Sequence, residues 1–157
     1  MTAIGVTGHQ KIPPEALDYV VAGIRRCLAS QAGPLIGFSG LAVGADQLFA
    51  REFLATGGDL IAVIPSQRYE TTFSDAGLLD YQDLLAQCSD TVVLGYDEPT
   101  EASFMAAGEE VVRRSDLVIA VWDGLPAAGL GGTADAVAYA RSLGKDIVVV
   151  WPEGVTR

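Results

Sequence analysis

Residues 36–47, IGFSGLAVGADQ, set the reading of the chain. An apolar run from Leu35 to Phe38 ends in Ser39-Gly40. A short loop holding Gly44 follows, and Asp46-Gln47-Leu48-Phe49 opens an apolar-periodic segment. This order predicts a strand, a tight turn and the start of a helix. Glycine at such a turn lets backbone approach a ligand closely or take positive φ. A helix start presents unpaired N–H groups and the positive end of a dipole, which suit an anion such as phosphate. A plain strand-to-helix turn has the same local sequence, so the rest of the chain has to decide.

Outward from this stretch the pattern recurs. Apolar runs predict strands at residues 2–7, 35–38, 60–64, 91–94, 117–122 and 147–151, the third stopped by Pro65. Helical spacing follows Pro13-Pro14 (Leu17, Val20, Val21, Ile24, Cys27, Leu28) and runs over residues 45–55 (Phe49, Phe53, Leu54). It returns after Ser74 or Asp75 (Leu78, Tyr81, Leu84, Leu85, Cys88) and after Thr100 (Met105, Gly108, Val111, Val112). The last helix is expected to be capped by Thr133, with Val137, Ala140 and Leu143 inward and Gly144 ending it. Residues 66–73 read as a loop. Strands alternating with amphipathic helices predict one α/β domain over residues 1–157, a mainly parallel sheet of about six strands covered on both faces.

Composition agrees. The 157 residues are half apolar with a mean hydropathy of +0.31, yet no apolar run reaches membrane length. The start, MTAIGVTGHQ, carries no secretion signal, and Cys27 and Cys88 read as free thiols; a cytoplasmic protein is expected. A net charge of −10 with scattered Lys and Arg disfavours nucleic-acid binding. With His9 the single histidine, no metal site is expected, and nothing calls for a cofactor.

In open parallel sheets, ligands bind beyond the carboxyl ends of the strands. The loops predicted there hold the candidate residues: Thr7, Gly8, His9 and Gln10; Ser39, Gly40, Gly44 and Asp46; Arg68 and Tyr69; Asp123; and Gly131, Gly132, Thr133 and Asp135. The glycines suit close approach to phosphate, Thr133 offers a hydroxyl at a helix start, and Asp135 lies in a first turn. Asp46 suits a ribose hydroxyl, Arg68 a phosphate and Tyr69 a base. Phe104 and Met105 read as core, and Glu109-Glu110 as a solvated face.

These loops resemble a known family. GVTGHQ (residues 5–10), SGLAVGAD (39–46), IPSQRYETTF (64–73) and VWDG followed by GGTAD are similar to the loop motifs of the SLOG superfamily, and occur in its order. That superfamily includes LOG nucleotide phosphoribohydrolases and Smf-type DNA-processing proteins. The resemblance implies a Rossmann-like fold, a nucleotide or nucleotide-derived ligand and a homo-oligomer. Two departures stand out. Residues 131–135 match the LOG glycine loop only loosely, with Asp135 where Glu is usual, and Gln10 stands where many relatives have Arg. The primary expectation is a sensor or accessory protein that binds such a ligand. The alternative is a hydrolase of the N-glycosidic bond of a nucleoside phosphate, with Asp135 and Asp123 as its carboxylates.

Overall fold

The computed structural model describes residues 1–126 and 132–157. Among the described residues, six strands form one sheet, β1 (Thr2–Gly8), β2 (Leu35–Ser39), β3 (Asp59–Ser66), β4 (Asp90–Tyr96), β5 (Leu117–Val121) and β6 (Asp146–Val149). The helices between them are α1 (Pro14–Ala29), α2 (Ala45–Leu54), α3 (Asp75–Gln87), α4 (Glu101–Arg114) and α5 (Thr133–Ser142). The spatial order is β4-β3-β2-β1-β5-β6 and every pairing is parallel. The chain winds outward from β1 to β4 and then returns to place β5 beside β1. That reversal makes the β1–β5 junction the topological switch point.

Alternation along the strands divides the core. Ile4, Val6, Leu60, Ala62, Ile64, Leu117, Ile119 and Val121 pack towards α1, α2 and α3, with Phe49 and Phe53 fully buried among them. On the other face Phe38, Ile61 and Val63 meet Ala107 and Val111 of α4, while Val118 meets Val112 and Ala140. Successive strand residues point to opposite faces, so apolar residues at consecutive positions make a strand buried on both sides. β3 and β5 are of this kind; the edge strand β4 is largely exposed.

Several local expectations change. Pro65 does not end β3, which continues to Ser66 through a register shift between Ile64 and Ser66 against β4. An irregularity in the ladder tolerates a residue that has no N–H. Residues 66–73 are not all loop: Tyr69–Thr72 form a 3-10 turn. Leu143 is exposed rather than inward-facing. Thr133 is not the cap of α5. Gly132 holds that position, and Thr133 is the first helical residue, without a side-chain cap bond. Thr100 does cap α4, in a reciprocal box with Ser103. Cys27 and Cys88 are free thiols whose pKa values burial raises, Cys88 to about 11. No described helix is long and apolar enough to cross a membrane.

Candidate functional site

The loops after β1, β2 and β3 meet the start of α5 above the switch point. Gly44, with φ of +92°, brings the second loop onto the first. A Cβ on Gly44 would stand 2.4 Å from the Gln10 carbonyl oxygen, and the next residue, Ala45, donates its N–H to the His9 carbonyl at 3.1 Å. Gly8 is a second close approach, where a Cβ would fall 2.4 Å from that of Ala45. These two glycines therefore serve loop-on-loop packing. Ser39, fully buried, accepts the Leu41 N–H and donates to the Asp46 carbonyl, so it shapes the same turn.

Two adjoining cavities open between these loops and α4. The larger, about 360 Å³, is walled by Thr7, Gly8 and Gln10 from the first loop, Gly40 and Asp46 from the second, and Tyr69 and Thr133. Val63, Pro65, Phe73, Phe104 and Val111 make its apolar side. The smaller, about 330 Å³, shares Thr7 and Gly108 and adds Gly132, Asp135, Met105 and Glu109. Sequence reading missed Glu109 and Phe104 as wall residues. Phe104, Gly108 and Val111 follow i, i+4, i+7, which puts them on one helix face. Only the tertiary packing reveals that a cavity interrupts that face. Glu110, by contrast, pairs with Arg113 and Arg114 on the outer surface.

Asp46 Oδ2 accepts the Ala42 N–H at 3.3 Å, so the turn's own carboxylate occupies part of the anion position expected there. Burial raises its pKa to about 7, opposed by that hydrogen bond. Tyr69 is buried, donates its hydroxyl to the Gly40 carbonyl at 2.9 Å, and packs edge-on to Phe73 and Tyr81. Burial and the neighbouring Asp46 hold its phenol protonated. Arg68 points away and pairs with Glu98 at 3.0 Å on the surface. That arginine, in left-handed conformation at φ of +61°, is not a wall residue of either cavity.

His9 and Asp123 lie beneath this crevice. The His9 ring is buried, stands edge-on to Trp151 and accepts the Asp123 N–H on Nε2 at 3.1 Å. Its Nδ1 lies 3.4 Å from the Thr133 hydroxyl. Asp123 Oδ1 accepts the Leu125 N–H at 3.0 Å, and Oδ2 binds Arg157 at 2.9 Å. Burial alone pushes the Asp123 pKa up, but the Leu125 N–H, Arg157 and His9 outweigh it and hold the carboxyl below its ordinary value. Both Asp123 oxygens are thus engaged inside the protein, and the side chain is 3 % exposed. Asp135, in contrast, is on an exposed first turn facing the smaller cavity. Gly131 lies outside the described residues.

No protein-family model matches the chain, and neither does any curated protein. Solved structures do. DNA processing protein A from Helicobacter pylori superposes with a TM-score of 0.68 at 19% identity, over 94% of this chain and 64% of that one. The Streptococcus pneumoniae protein of that name gives 0.63 at 21%, over 95% and 50%. The molybdenum cofactor carrier protein of Chlamydomonas reinhardtii gives 0.59 at 21%, over 94% and 75%. The chain thus spans about half to three quarters of their lengths. At such identities the likeness is one of fold alone, a Rossmann-like parallel sheet between two layers of helices.

Proposed function

We propose that the crevice binds a nucleotide or nucleotide-derived small molecule, in a sensor or accessory role. One observation carries this reading: loops from three strands of a doubly wound sheet and the start of α5 enclose a two-part cavity at the switch point, apolar on one side and glycine-bearing on the other. A base fits against Phe73, Phe104 and Val63, beside Tyr69. A phosphate fits at Gly132 and Thr133, where the start of α5 supplies unpaired N–H groups. Thr7, shared by both parts, lies between the two. In this reading Asp123 and His9 hold the loop, and the ligand touches Thr7, Gln10, Gly40, Asp46, Tyr69, Gly132 and Thr133. The carrier protein among the structural neighbours is named for a small-molecule cargo, which supports a ligand-holding role.

Calorimetric titration with nucleoside monophosphates, ADP-ribose, NAD and cyclic nucleotides tests the proposal. Saturable binding of one class is expected. Gly132→Val, which adds bulk where phosphate approaches, is expected to weaken that binding at least about tenfold. Unchanged affinity removes this helix start from the site.

The second reading, N-glycosidic hydrolysis, is favoured by one specific feature. Asp135 and Glu109 come from different helices to the same small cavity. Paired carboxylates of this kind can stabilise an oxocarbenium-like sugar and activate water. Here Asp135 is the catalytic carboxylate, while Asp123 positions the loop. Asp135→Asn is then expected to lower turnover of a bound nucleoside monophosphate by about a hundredfold or more, with affinity retained. Chromatography of released base reads the outcome, and equal turnover excludes Asp135 from the chemistry.

A further inference from the structure

Asp46 lines the larger cavity together with Gly40, Tyr69 and Val63. Asp46 Oδ2 takes one N–H, from Ala42, and among the described residues Oδ1 takes none. The Gly40 carbonyl, next to it, accepts the Tyr69 hydroxyl. Gly40 is tight against the carboxyl, since a Cβ on it would stand 3.0 Å from Oδ2. No lysine or arginine is among the described wall residues. The carboxyl therefore has no cation to answer it there, while Val63, Phe73 and Phe104 supply apolar surface for a flat ring.

We propose that Asp46 reads a pair of adjacent N–H donors on the ligand, the edge of a fused 2-amino-4-oxopyrimidine ring, as carried by guanine and by pterins. The guanine case rests on the nucleotide reading above. An ionised carboxylate only accepts, and it receives two parallel N–H groups bidentately. Guanine offers N1–H beside its 2-amino group. Hypoxanthine offers N1–H alone. Adenine sets an acceptor beside its donor, which would oppose an ionised Asp46. A donor pair also compensates the carboxylate for the hydration that burial removes.

Titration of the purified protein at about pH 8 with guanosine, inosine, adenosine, xanthosine and unsubstituted pterin tests this. Guanosine or pterin is expected to bind at least about tenfold more tightly than inosine, the loss of one charge-assisted hydrogen bond. Which of the two binds more tightly separates a nucleoside source from a pterin source. Asp46→Asn is expected to reverse the preference towards xanthosine, whose 2-oxo group accepts from the new amide. If the nucleosides bind without regard to the 2-amino group, or if Asp46→Asn weakens all of them equally, the proposal falls and nucleotide binding stands. If neither these compounds nor the wider nucleotide panel binds, both fall. Should Asp46→Asn fail to fold, the guanosine-to-inosine ratio of the parent protein decides alone.

Discussion

His9 follows β1 and Asp46 lies in the first turn of α2, and the fold shifts these two polar groups to opposite effect. Burial, assisted by Arg157, lowers the His9 pKa from 6.5, and Asp123 offsets this only in part. A group whose folded pKa is depressed contributes stability above its unfolded value, lost as pH falls below about 6.5. Asp46 goes the other way. Its folded pKa of about 7 lies above the ordinary 3.8, so the folded state holds that proton more tightly. Its contribution is full in acid and is lost as pH rises towards 7. The Asp46→Asn protein is therefore expected to be more stable than the parent by roughly 1–3 kcal/mol near pH 8, the gap closing near pH 4. Urea melts across this range measure it, and a gap that does not move with pH refutes the buried-acid account. Both residues were legible as candidates because they sit beside glycine-bearing turns. Their roles were not, since burial and partners come from elsewhere in the chain.

At the scale of elements, α2 shows how much a short stretch decides. Phe49 and Phe53 lie one turn apart, so both side chains leave the same helix face, and both are fully buried. Gly37 of β2 makes room for Phe53: a Cβ there would stand 2.9 Å from its ring. Phe53→Ala leaves a cavity between helix and sheet and is expected to cost about 3–5 kcal/mol. Denaturant midpoints at constant m-value check this; a loss below about 1 kcal/mol would mean the layer collapses into the gap. Periodicity exposed this face directly, and it also exposed the Thr100 cap of α4. It misjudged β3 at Pro65, because the register shift that accommodates a proline depends on the partner strand. It misjudged Thr133 because the helix takes Gly132 as its cap and begins at Thr133.

For the whole molecule, charge and topology act together. The net charge is −10, and the described walls of both cavities carry no lysine or arginine. The Helicobacter pylori neighbour is described by its single-stranded DNA binding, and it shares this fold. Phosphate neutralisation dominates such binding, so this chain is expected to leave a single-stranded oligonucleotide unshifted in electrophoresis at physiological salt. A micromolar, salt-sensitive complex would reverse that expectation. The sequence by itself determined the layered α/β architecture, since alternating buried strands and one-faced helices have few other ways to hide their apolar surface. It also determined which loops crowd the carboxyl ends. Only the tertiary structure decided what those loops do. It turned Gly8, Gly44 and Ser39 to loop packing, engaged Asp123 with Arg157 and the Leu125 N–H, sent Arg68 to Glu98, and brought Glu109 and Phe104 to the cavity walls. The reason is physical: a residue's type and spacing fix the bonds it can make, while its partners across the crevice arrive from chain segments far away in sequence.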